Sequence, residues 1–171
     1  MSKFLEHPSV QRVINSLSYI GHSGQVVELE NTARSAEDAA SALNVEVGAI
    51  VKTLIFKLKS EKSETPLVTL ISGDQRCKTK VLGQLVGIDG KCILPDADEV
   101  KMITGYSIGG VSPIGMPSNL TILMDEKLNA YETIWAAAGH PHCVFPITFF
   151  QLQRLTNATV SDQISEPFEK G

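Results

Sequence analysis

A chain of 171 residues, 43% hydrophobic and 20% charged, has the make-up of one ordinary globular domain, which excludes a disordered, collagen-like or heptad-repeat chain. A net charge of −4, from 15 basic and 19 acidic residues, excludes a globally basic surface for nucleic acid. Three cysteines without C-x-x-C spacing argue against a disulfide framework and a structural zinc site, and fit reduced thiols in a cytoplasmic protein.

Val10, Val13, Ile14 and Leu17 fall at i, i+3, i+4 and i+7 and predict a helix over residues 9–18, ended by Gly21 and Gly24. The opening MSKFLEHPSV lacks the apolar stretch of a signal peptide, and no run reaches the ~18 apolar residues of a membrane span, so no membrane partner is expected. A short strand follows at 26–29. Ser35 then caps a second helix, with Asp38 three residues on. Its stripe of Ala36, Ala39, Ala40 and Leu43 is small enough to lie close to a sheet. Residues 50–58 form the clearest strand and 67–72 the next, joined through the polar turn 60–65 as a hairpin. A helix is expected at 78–86, a short strand at 91–94, and a helix at 96–104 opened by Asp96 and Glu99. The Gly/Pro-rich segment 105–117 leads to a strand at 120–124. Strands at 134–138 and 143–147 flank a turn at 139–142, a helix covers 148–155, and a tail runs from 158. Helices and strands mix without strict alternation. That predicts one α+β domain over residues 1–171, with a mixed, mostly antiparallel sheet flanked by helices. Neither G-x-G-x-x-G after a strand nor a P-loop occurs, which counts against dinucleotide and P-loop chemistry.

Strand alternation puts Lys52 in the middle of an apolar set, Ile50, Leu54, Phe56 and Leu58. Either an anion or cleft receives its ammonium there, or its stem packs on the sheet and its head snorkels out. In the segment 105–117, Gly109, Gly110, Val111, Ser112 and Pro113 can bring backbone N–H groups close to a carbonyl or phosphate; the plain alternative is a long turn. Small residues 136–139 lead into His140, His142 and Cys143 as a pocket wall would. That spacing matches no common zinc pattern, so no metal is expected. Alternation sets Cys143 on the face opposite both histidines, against a Cys–His nucleophile. Residues 52–80 carry seven basic and three acidic side chains. Lys57, Arg76, Lys78 and Lys80 are the candidates for phosphate contacts, against a merely solvated surface.

The stretches VGAIVKTLIF (47–56), SGDQR (72–76), TGYSIGGVSP (104–113) and AGHPH (138–142) together resemble the YbaK/prolyl-tRNA editing family of free-standing aminoacyl-tRNA deacylases, with order and spacing kept from about residue 9 to 156. The resemblance implies hydrolysis of the ester between a wrong amino acid and the 3′ terminal adenosine of a tRNA. It implies that Lys52 lies in the pocket and places the substrate. Gly109, Gly110, Val111, Ser112 and Pro113 would present backbone groups to the aminoacyl moiety. Catalysis would lean on a ribose hydroxyl and an ordered water, with no metal and no cofactor. His140 and His142 stand where the family often has small or varied residues, so Gly139 and His140 are expected to help set pocket size. The expected partners are the acceptor end of an aminoacyl-tRNA and an aminoacyl-tRNA synthetase. The reading is a trans-editing deacylase. Its alternative is a non-catalytic aminoacyl- or nucleotide-binding module of the same fold, and a third class, a thiol hydrolase, would need a reactive Cys143.

Overall fold

The structure, a computed structural model, describes residues 3–22 and 25–168. Gly24 and residues 169–171 of the expected tail lie outside these. The elements in order are α1 (Pro8–Tyr19), β1 (Val27–Glu28), α2 (Ala36–Leu43), β2 (Val51–Lys59), β3 (Glu64–Ser72), β4 (Gln75–Cys77), α3 (Leu82–Val86), β5 (Lys91–Ile93), α4 (Ala97–Thr104), β6 (Thr121–Asp125), β7 (Ile134–His140), β8 (Cys143–Ile147), α5 (Phe149–Thr156), β9 (Thr159–Ser161) and β10 (Ser165–Pro167).

The β2–β3 hairpin is the centre. Val51 pairs with Ser72 and Lys59 with Glu64, an unbroken antiparallel register. On it grows a mixed sheet of order β5-β2-β3-β6-β9, in which β6 and β9 run parallel to their neighbours. An antiparallel sheet β1-β8-β7 packs beside it, tied on by a parallel bridge between Ile50 and Trp135. The two faces of β2 divide the core. Val51 and Ile55 join the main cluster with Val10, Val13, Ala136 and Phe145, while Phe56 and Leu58 join a second with Leu67, Ile71, Leu82 and Ile164. Burial of these apolar faces drives the fold. Helix starts are fixed by side-chain caps: the Ser35 hydroxyl accepts from the Asp38 N–H at 3.0 Å, and Asp96 with Glu99 forms a reciprocal capping box.

The single α+β domain and its mixed sheet are as expected. Two local readings are corrected. Residues 75–77, between the expected strand at 67–72 and helix at 78–86, are strand β4, and a 3-10 turn at Thr79–Val81 replaces the first part of that helix. Residues from 158 are not a tail as far as 167: β9 extends the mixed sheet and β10 pairs antiparallel with β4. Ile164 between them is fully buried, so apolar burial anchors this stretch.

Candidate functional site

Ala36 and Ala39 of α2 and Ala136 and Ala137 of β7 face a common space beside β2. Side chains this small leave space between the elements, and a cavity of about 530 Å³ opens there. Lys52, Thr53, Trp135 and His140 are among the residues that line it. Ile108, Gly109 and Val111 close the side contributed by the Gly/Pro-rich loop.

Lys52 is partly buried, and its ammonium donates to the Gln75 carbonyl. Burial lowers its pKa; Glu37, Asp74 and Asp125 partly offset this. The turn that supplies Gln75 is held from behind. Buried Asp125 accepts the Ser72 N–H at 3.1 Å, and the Ser72 hydroxyl donates to the Gly48 carbonyl at 2.6 Å. The position of Lys52 is therefore set by a network away from the cavity. Thr53, which the sequence did not single out, carries the one buried side-chain oxygen without a hydrogen-bond partner among the described residues. An unpartnered buried hydroxyl on a cavity wall is suited to a polar ligand group.

The loop is braced before any ligand arrives. The buried Tyr106 hydroxyl donates to the Ile114 carbonyl at 2.7 Å, and burial pushes its pKa up to about 12. The Gly110 N–H is spent on the Ser107 carbonyl at 3.2 Å. Gly109 and Val111, on either side, face the cavity and make no N–H hydrogen bond among the described residues. Gly110 lies behind them, where a Cβ would stand 2.7 Å from the His140 Cα. Gly109 has φ +96°, a conformation that glycine adopts without strain. Ser112 is buried with its hydroxyl accepting from the Ile114 N–H, and Pro113 lines a different cavity beside Tyr19. The loop candidates thus divide into two that face the cavity and three that shape the loop.

His140 lines the cavity at the end of β7, while Gly139 packs toward Ser9 of α1. Burial lowers the His140 pKa, helped by His7, His142 and Arg34 and partly offset by Glu28. Phe4 stacks on His140 at 4.3 Å and on His142 at 4.4 Å. The His140 Nδ1 accepts the His142 N–H, and the His142 Nδ1 lies 2.9 Å from the Leu29 carbonyl, which leaves only the Nε2 atoms of this turn for other work. Among the described residues no group of three His, Cys, Asp or Glu is arranged to hold a metal ion. His140 and Cys143 are cross-strand partners and both line the cavity, a correction to the expectation that alternation separates them. The chain reverses between the two residues, so alternation along one strand does not carry across. Cys143 is fully buried and its thiol is pushed up to about 11, which leaves almost no thiolate near pH 7.

The basic residues of 52–80 do not form one free patch. Lys57 is buried and paired with Glu99 and with Glu64, and Arg76 is paired with Glu166 at 2.7 Å. Lys78 is partly exposed and Lys80 exposed. Arg34, which the sequence reading passed over, sits at the cavity beside Gly109 with no ion pair among the described residues. No helix of the described residues is long and apolar enough to cross a membrane.

The model of the aminoacyl-tRNA editing domain matches residues 30–155, which contain all of the cavity except Phe168. Over 161 residues the chain is 24% identical to the "Uncharacterized protein YwhH" of Bacillus subtilis, covering 94% of this chain and 99% of that one. It is 30% identical over 130 residues to the "Putative Cys-tRNA(Pro)/Cys-tRNA(Cys) deacylase EbsC" of Enterococcus faecalis, covering 71% and 77%. A crystal structure described as "a putative trans-editing enzyme for prolyl tRNA synthetase" superposes with a TM-score of 0.82 at 39% identity, covering 93% and 98%.

Proposed function

The chain belongs to the aminoacyl-tRNA editing domain family, and from that premise we propose that it is a trans-editing hydrolase, which cleaves the ester joining a mischarged amino acid to the 3′ terminal adenosine of a tRNA. The observation that carries the reading is that a poorly solvated ammonium, Lys52, and the loop residues Gly109 and Val111 line the same small-residue cavity. An ester carbonyl gains negative charge as water adds to it, and fixed donors in a water-poor site stabilise that charge without reorganising. Lys52 supplies one donor and the N–H groups of Gly109 and Val111 supply the other side. The alanine-lined end receives the amino-acid side chain, and Trp135 and His140 limit its size. In the hydrolysis, water oxygen bonds to the carbonyl carbon. The ribose oxygen leaves with one proton of that water, and the amino acid departs as its carboxylate with the other proton released to solvent.

The deciding experiment is a deacylation screen of the purified protein against a matrix of mischarged tRNAs. Release of at least one amino acid above the uncatalysed rate is expected. Specific binding of aminoacyl-tRNA with no release from any of them would favour the non-catalytic module. A synthetase partner belongs to the same proposal, since the solved relative is described as acting for prolyl tRNA synthetase. A tRNA reaching Lys52 would bring its acceptor end past β4, and Lys78 and Lys80, just beyond that strand, have no carboxylate partner among the described residues. Lys78→Glu with Lys80→Glu should weaken tRNA binding and reduce the slope of log affinity against log salt by roughly 1 to 2. An unchanged slope in a salt titration would return these lysines to a solvated surface.

A further inference from the structure

Eight large hydrophobic side chains are exposed among the described residues, and three of them, Leu94, Ile108 and Phe168, line the mouth of this one cavity. Their exposures are 77%, 55% and 54%. Apolar side chains gathered at one opening mark a surface that is covered when a ligand binds. Phe168 stands apart from the other two. Its ring centroid lies 4.8 Å from the Lys52 Nζ, within cation–π range. It also comes from outside residues 30–155, the part matched by the family model.

Phe168 is held in place rather than left at a loose end. It directly follows β10, whose three residues Ser165, Glu166 and Pro167 pair with Cys77, Arg76 and Gln75. Glu166 is bound by Arg76 through Nε at 2.8 Å and Nη2 at 2.7 Å. Lys127 donates to the Ser165 carbonyl and hydroxyl at 3.4 and 3.3 Å. The strand partner of Pro167 is Gln75, whose carbonyl also accepts the Lys52 ammonium. One short strand thus places both the ring and the acceptor that positions the lysine.

From this we infer that Phe168 is a substrate-positioning residue and that its ring stacks on the terminal adenine of the tRNA. The inference rests on the deacylase reading. The alanine-lined interior suits an amino-acid side chain, and the half-open rim suits the flat base that follows it outward. Every nucleobase has a π face that an aromatic ring can stack on, and losing such a stack costs about 5- to 100-fold in binding. A base seated on Phe168 brings its own 3′ ester toward Lys52.

The test is single-turnover deacylation of each mischarged tRNA that the wild type cleaves, with Phe168→Ala, Phe168→Leu and Phe168→Trp. For Phe168→Ala the half-saturating protein concentration should rise about 5- to 100-fold, by the same factor for every amino acid removed, with the maximal rate within about threefold. Phe168→Trp should stay near wild type, and Phe168→Leu should resemble Phe168→Ala, because leucine restores bulk without a π face. An unchanged half-saturation for Phe168→Ala, or rescue by leucine, overturns base stacking. A factor that varies with the amino acid assigns the ring to the aminoacyl group instead. A fall in maximal rate alone assigns it to Lys52. A wild type that cleaves no member of the matrix removes the deacylase reading, and this inference with it, whereas a wild type that cleaves while Phe168→Ala matches it removes only the inference.

Discussion

Lys52→Ala should lose about 10²- to 10³-fold in the single-turnover rate of deacylation while remaining folded. The magnitude is that of removing one preorganised donor aimed at developing negative charge, ~3–4 kcal/mol. The folding half of the expectation follows from the sign of the pKa shift. Burial lowers the Lys52 pKa, so the folded protein holds this proton less tightly than the unfolded chain does. Charge on Lys52 therefore costs stability, fully below the folded pKa, and the cost disappears as pH rises past the unfolded value. Removing the side chain at neutral pH lifts that cost and gives up its hydrogen bond to Gln75. Lys52→Arg should rescue poorly, because a planar guanidinium places its donors differently from a compact ammonium. Circular dichroism checks the fold and the rate checks the role. A folded Lys52→Ala protein cleaving at the wild-type rate would take Lys52 out of the chemistry.

Gly110→Ala should impair both folding and activity, for a reason of space rather than charge. The added Cβ would stand 2.7 Å from both N and Cα of His140. These are backbone atoms at the end of β7, where His140 pairs with Cys143 of β8 beyond a break in register after Ala137, so they cannot swing aside as a side-chain tip would. The loop must move instead. Forcing one extra carbon into a packed contact costs about 1–3 kcal/mol. Displacement of Gly109 and Val111 by even ~1 Å spoils donor geometry enough for a loss on the order of 10²-fold. A thermal melt and the single-turnover rate together read the two effects. Wild-type values in both would mean that the loop does not depend on close approach to β7.

Much of this architecture was open to reading in the sequence because strong periodic signals carry it. The hairpin of β2 and β3 follows from two long β-rich runs around a polar turn, and the odd placement of Lys52 follows from alternation alone. The small-residue face of α2 was visible as Ala36, Ala39 and Ala40, though not that the space it leaves becomes the cavity. What was hidden had no local signal. The strands β4 and β10 are three residues each, QRC and SEP, too short and too polar for a hydrophobic pattern, and they exist because each completes the other. Glu64, one partner of Lys57, lies within residues 52–80, but Glu99, its other partner, and Glu166, the partner of Arg76, are far away in sequence, so counting charges along that segment could not detect them. Thr53 looks like any threonine in a strand until the structure shows its hydroxyl without a partner.

The pairing of β4 with β10 also predicts an order of assembly. The β2–β3 hairpin closes a turn of a few residues, from Lys59 to Glu64. Arg76 and Glu166 are 90 residues apart, and closing a loop of that length costs more chain entropy before any contact repays it. Non-local pairings of this kind slow folding. During synthesis the wall that bears Phe168 is also the last part of the described chain to be made. In pulse-labelled hydrogen exchange during refolding, amides of the central hairpin should gain protection before those of Gln75–Cys77; simultaneous protection would show that the two ends of the chain meet early. Lys52 thus lies on the element expected to form first and Phe168 next to the one expected to form last, so that a partly folded chain would display Lys52 without the surface proposed to seat its substrate.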